Sequence, residues 1–205
     1  MLGFTCWWWA KLRRIFVVEA RTVGASSGFS LRDLPGSSGR LDVVCRCLVA
    51  ALRGAGGVRG DTVFWALLKG GRNPVALRVE GWKVRWLPGS ELAVAKILGR
   101  VFEGRRVEGF SLEEASFGEV VGRVVREGAA LFYLHEDGAP LRMVDVPFPV
   151  VFVLGDHLGL SRESEELLSR LGAVRVSLGP RRYLGSHCIV MVHCELDRRM
   201  LMDAF

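Results

Sequence analysis

The chain has 205 residues, half of them hydrophobic and 24% charged, enough for one substantial core and too apolar for wholesale disorder. Its 28 basic residues against 22 acidic give a net charge of +6. Mean hydropathy is +0.26, yet no uncharged apolar run approaches the roughly 18–20 residues of a membrane span, so a soluble chain with no membrane partner is expected.

Leu2 to Ala10, with Trp7, Trp8 and Trp9, is too short to cross a bilayer. Its charges, Lys11, Arg13 and Arg14, follow the apolar stretch, whereas those of a signal peptide precede it. Residues 1–13 are therefore read as an N-terminal appendage, and 14–205 as a single domain. Arg14 to Ala20 is β-branched and aromatic and reads as a first strand. Gly24 to Gly39 is a polar, turn-rich stretch. From Leu41 the apolar positions Val44, Cys45, Leu48, Val49 and Leu52 share one helical face, and Gly54, Gly56 and Gly57 end that helix. Thr62–Leu68, Val75–Val79 and Trp82–Leu87 read as short strands, and Glu91 to Phe102 as a helix. Ser116 and Glu119 form a capping box ahead of a helix that closes at Gly128. Ala130–Leu134, Val150–Leu154 and Val174–Leu178 read as strands. Between them lie the turn His135–Gly138 and a helix from Ser161 to Leu171. Ser186 opens the last helix. This alternation predicts an α/β fold with a parallel sheet.

Three turns then follow strands: Leu134 to Gly138, Gly155 to Gly159, and Ser177 to Ser186. In a parallel sheet they share the edge where open α/β folds bind ligands. Glycine there lets a ligand approach the backbone, and none of the three matches a dinucleotide fingerprint or P-loop. His187-Cys188 and His193-Cys194 lack zinc-site spacing, so no metal is expected. Five cysteines (Cys6, Cys45, Cys47, Cys188, Cys194) form an odd set that favours a reducing cytoplasm over a disulfide framework.

All but four of the basic residues (Lys11, Lys69, Lys83, Lys96) are arginine. Arginine's planar fork suits phosphate, although a solvated arginine surface has the same composition. The densest chemistry lies over 31–46, where Arg32, Arg40 and Arg46 surround Asp33 and Asp42 on a glycine-serine loop. Such arginines can hold phosphates while a carboxylate takes a proton. Salt bridges within the loop would use the same residues.

The segment from Ser30 to Cys47 (SLRDLPGSSGRLDVVCRC) closely resembles the signature of the archaeal tRNA pseudouridine-54 N1-methyltransferases. The blocks Phe132–His135, Val153–Gly159, Val176–Pro180 and Ser186–Cys188 agree in the same order, and the likeness runs from Arg14 to Met202. It implies a SPOUT-type α/β fold with a C-terminal trefoil knot within about 130–205. It also implies a homodimer, S-adenosyl-L-methionine as methyl donor, and tRNA as substrate. Carried over, the cofactor contacts are Leu134, Gly155, Ser177, Leu178, Gly179, Pro180, Arg181, Arg182 and Cys188. Gly179 and the Arg181–Arg182 pair depart from the family's pattern, the arginines by being larger and more basic. The acceptor nitrogen must shed a proton, and Asp33 is the expected catalytic base, with Asp42 as the alternative. Arg32, Arg40, Asp42 and Arg46 are expected at the RNA. A non-catalytic RNA-binding dimer and a ribosomal-RNA methyltransferase of the same class remain open on these residues.

Overall fold

The structure, a computed structural model, describes residues 12–202. In chain order the first elements are β1 (Arg14–Ala20), α1 (Leu34–Ser37, a single turn), α2 (Leu41–Leu52), β2 (Arg53–Gly54), β3 (Gly57–Val58), β4 (Thr62–Leu68) and β5 (Val75–Glu80). There follow α3 (Glu91–Phe102), β6 (Phe110–Glu114), α4 (Phe117–Arg126), β7 (Ala130–Pro140), β8 (Val150–Gly155), α5 (Arg162–Arg170), β9 (Val174–Ser177) and α6 (Gly185–Met202).

Strand β1 is apolar at nearly every position because it is covered on both faces. It pairs in parallel with β4 and β8, placing Phe16 beside Phe64 and Phe152. Phe16, Val18 and Ala20 join a core closed by α2, α3 and α6, while Ile15 and Val17 join a second core closed by α4 and α5. The result is a three-layer fold around a seven-stranded sheet of order β6-β5-β4-β1-β8-β7-β9. Five adjacent strands, β4 to β9 in that order, are parallel, and the β4–β5 and β5–β6 pairs are antiparallel.

Four local expectations need correction. Trp82–Leu87 is not a strand: a single 3-10 turn at Gly81–Lys83 leads into irregular chain. A side chain at Gly81 would come within 2.0 Å of the Arg59 carbonyl, so the backbone must turn there against its neighbour. Strand β6 was not anticipated. It is a half-exposed edge strand whose two glutamates mask the alternation. His135–Gly138 is not a turn ending its strand but an excursion within β7, since Leu134 and Ala139 both register with Val176 of β9. Ser186 lies inside the first turn of α6, and the N–H of Cys188 donates to the Leu184 carbonyl at 3.0 Å. Of the expected appendage, residues 1–11, including the three tryptophans, fall outside the described residues. Arg13, just before β1, accepts from Val150 N–H with its carbonyl at 3.0 Å.

A buried polar cluster ties α6 to β1. The Arg14 guanidinium is 2.6 Å from Asp197 Oδ1 and 3.2 Å from Asp61 Oδ2. It donates to His193 Nδ1 at 3.1 Å, and His193 Nε2 donates to the Ala51 carbonyl at 2.9 Å. Burial, reinforced by the Arg59 and Arg14 charges, pushes the His193 pKa down to about 3. The imidazole is neutral, and its two nitrogens have fixed roles.

Candidate functional site

A cleft of about 570 Å³ opens at the C-terminal ends of β7, β8 and β9, against the start of α6. Three chain segments shape it. The first is the 135–138 excursion, held down where Gly138 meets β9; a Cβ there would lie 2.4 Å from the Val176 carbonyl carbon. The second is the turn after β8. The Asp156 carboxylate accepts from the N–H groups of Arg21 and Leu158, both at 2.8 Å, and the Gly159 N–H donates to the Asp156 carbonyl at 3.1 Å. The third is the irregular chain after β9, leading into α6. An ion pair between Glu136 and Arg182 joins the first segment to the third.

Gly155 has a packing reason to be glycine. A Cβ on it would sit 2.1 Å from the Gly159 carbonyl carbon and 2.4 Å from the Leu160 nitrogen. The turn folds back onto this strand end, which only a residue without a side chain permits. Glu19, fully buried at the end of β1, fixes the far side of the turn. It accepts from Ser161 N–H at 2.7 Å, from the Ser161 and Ser164 hydroxyls at 2.9 and 2.8 Å, and from Lys69 Nζ at 2.8 Å. Burial alone would raise its pKa, but Lys69 and the serine donors outweigh it and hold the carboxylate below its usual range.

Of the expected cofactor residues, Leu134, Gly155, Leu178, Gly179, Arg181, Arg182 and Cys188 line this cleft; Ser177 and Pro180 do not. Arg40 and Arg46 line it from the other side, so the arginine segment and the strand-end loops meet at one place. Arg40 sits in the left-handed region at φ 75°, a conformation unusual for a side-chain-bearing residue. Its guanidinium donates to Asp42 Oδ1 and Oδ2 at 3.0 and 3.2 Å. Arg46 donates to Asp42 Oδ2 at 2.8 Å and to Glu91 at 2.9 Å. Asp42 is buried beneath these two arginines, with both of its carboxylate oxygens engaged by them. Burial opposes ionisation there, but the two arginines hold the Asp42 pKa below the usual range.

Arg32 and Asp33 are exposed and lie outside the cleft lining. Asp33 caps the α1 turn, its Oδ1 accepting from Gly36 N–H at 3.1 Å. The Arg32 N–H donates to Ser30 Oγ at 3.3 Å. Burial raises the pKa of Cys188 and pushes that of Cys47 up to about 12, so neither is a thiolate nucleophile at neutral pH. Among the described residues, no three His, Cys, Asp or Glu side chains gather as a metal site requires.

His135, Glu136, Asp156, Leu158 and Tyr183, none of them among the expected site residues, also line the cleft. Each falls in one of the three loops marked from the sequence, so the available signal was loop membership. Leu134, Leu154, Val176 and Leu178 give the cleft an apolar wall, and Arg40, Arg46, Arg181 and Arg182 outnumber Glu136, Asp156 and Glu165 on its lining. Its volume suits a small molecule, and its charge suits a phosphate polymer.

The profile of the family described as "Putative SAM-dependent RNA methyltransferase" matches residues 13–201. A tRNA (pseudouridine(54)-N(1))-methyltransferase of Methanococcus vannielii is 37% identical over 193 residues, covering 89% of this chain and 98% of that protein. The enzyme of the same name from Methanocella arvoryzae is 39% identical over 197 residues, covering 92% and 100%. The crystal structure of Archaeoglobus fulgidus Nep1 bound to S-adenosylhomocysteine shares the fold, with a TM-score of 0.61 at 16% identity, covering 91% of this chain and 97% of that one. With this extent of shared sequence, the chain belongs to the family of the SAM-dependent tRNA (pseudouridine(54)-N(1))-methyltransferases.

Proposed function

We propose that this chain transfers a methyl group from S-adenosyl-L-methionine to N1 of pseudouridine at position 54 of tRNA. The observation that carries this reading is end-to-end similarity to enzymes of that name, combined with one cleft that joins the strand-end loops to an arginine segment. The cleft suits the cofactor on physical grounds. It has an apolar wall for a flat ring, backbone groups at its glycine turns, and a volume in the small-molecule range.

When bound there, S-adenosyl-L-methionine supplies an already activated methyl group. The chain's own task is to bring the acceptor nitrogen into line and manage its proton. Leu134, Gly155, Leu178, Gly179 and Cys188 form the cofactor wall, with Ser177 and Pro180 shaping the loop behind it. Arg181 and Arg182 extend the positive rim. Arg40 and Arg46, held by Asp42, grip phosphates beside the target, and Arg32 extends that grip along the exposed loop. Asp33 accepts the N1 proton. Its exposure on the arginine loop supports that role, and reaching the base requires the loop to settle onto bound RNA. A flipped-out loop nucleotide would suit such a site.

The same reading includes the knot and the homodimer, in a single domain working in the cytoplasm with its tRNA. Support for the knot is the path of the chain. After β9 at the sheet edge it returns past the ends of β7 and β8, with Gly185 against Leu154 and Cys47. It then lays α6 over β1, where the rings of Phe16 and His193 are 4.9 Å apart. Support for the dimer is a groove of about 500 Å³ between α2 and α6, where Val49, Ala50 and the exposed Val190 sit among Arg46, Arg53, Glu91 and His187. The test supplies labelled cofactor with tRNA carrying pseudouridine or uridine at position 54. Label should enter only the pseudouridine tRNA. Equal labelling of both would overturn the reading.

A further inference from the structure

A basic aromatic patch lies apart from the cleft, on the chain following β5. Trp82 is 45% exposed and Trp86 is 71% exposed. Between them the Lys83 and Arg85 side chains are 51% and 89% exposed. Arg13 rests over the Trp82 ring, its guanidinium carbon 5.4 Å from the ring centroid, which pins that ring at the base of the patch. The loop before β6 packs alongside. The Gly109 carbonyl accepts from Glu80 N–H at 2.9 Å, and a Cβ on Gly109 would lie 2.5 Å from Val84 Cγ2. The exposed Arg105 and Arg106 lie on the chain just before that contact. Glu80 pairs with Lys83, Glu108 lies 3.5 Å from Arg85 and Glu103 lies 3.0 Å from Arg105, so three of these four cations face a carboxylate and Arg106 keeps the patch net positive.

An exposed tryptophan contributes nothing to the core, and one alone needs no explanation. Two of them interleaved with cations have the composition of a surface that stacks bases and holds the backbone between them. The net positive charge complements a polyphosphate. We infer that Trp86, with Arg85 and Lys83, forms a second tRNA contact that stacks an unpaired nucleotide away from the methylated base. This rests on the tRNA reading above and adds to it a binding site outside the cleft.

The test measures the affinity of the full chain for tRNA at fixed salt, for wild type, Trp86→Ala and Trp86→Phe. One base stack is worth a loss of roughly tenfold in Trp86→Ala, while Trp86→Phe stays within about threefold of wild type. The loss appears in KM for tRNA rather than in kcat, and affinity for S-adenosyl-L-methionine does not move. Wild-type tRNA affinity in Trp86→Ala overturns the inference and leaves the tRNA reading standing. A Trp86→Ala chain whose mass by light scattering differs from wild type assigns the patch to a contact between copies, which also overturns it. Failure of the wild-type chain itself to bind tRNA overturns both.

Discussion

Arg40 holds a strained backbone and a buried carboxylate together. A left-handed arginine costs energy that its two hydrogen bonds to Asp42 help offset. Asp42→Asn keeps the size but removes the charge that both arginines answer. Equilibrium unfolding should show a loss of about 1–3 kcal/mol. Affinity for tRNA should fall with it, while calorimetry finds cofactor affinity held. Unchanged tRNA binding would mean Arg40 and Arg46 need no anchor. At Asp33 the expected outcome is chemical. Asp33→Asn keeps a side-chain oxygen to accept from Gly36 N–H, so the turn stands. Single-turnover methylation at neutral pH should fall by roughly 10²–10⁴, with the deficit shrinking at higher pH where the acceptor N–H ionises unaided. A wild-type rate would remove Asp33 from the chemistry.

At the scale of elements, the turn after β8 is built from both sides, and each side can be broken separately. Gly155→Ala puts a methyl group into the Gly159–Leu160 backbone, so the turn must shift. Calorimetry should show cofactor affinity reduced at least about tenfold, because the wall that turn supplies moves with it. Full affinity would mean this turn is not part of the cofactor wall. The loop positions were legible because glycines in a strand-helix alternation mark strand ends. The Glu136–Arg182 pair was not, because it depends on how far the 135–138 excursion leans towards the chain after β9. Strand β1 was legible from its unbroken apolar run. Trp82–Leu87 has the composition of a strand, but Gly81 against the Arg59 carbonyl forces a turn that no local pattern records. The parallel half of the sheet could be read from alternation, whereas the antiparallel β5–β6 edge lacked a clean period.

At the scale of the whole molecule, His193 and Arg14 join the last helix to the first strand across most of the sequence. His193 stays neutral in the fold down to about pH 3, whereas in the unfolded chain it binds a proton below about 6.5. Stability is therefore fully present above pH 6.5 and drains as pH falls towards 3. Between pH 7 and pH 5 this one group should cost about 2 kcal/mol of unfolding free energy. His193→Gln keeps an amide donor for the Ala51 carbonyl but cannot titrate, so its stability profile should be flatter over that range. Parallel profiles for variant and wild type would show that His193 does not set the acid response.

The most direct test of the central claim is to locate the methyl group. The chain would be incubated with S-adenosyl-L-methionine and tRNA carrying pseudouridine at position 54, and the RNA then digested and mapped by mass spectrometry. The account predicts one added methyl group, on N1 of pseudouridine 54. A methyl group on a ribose, on another base or at another position would contradict it.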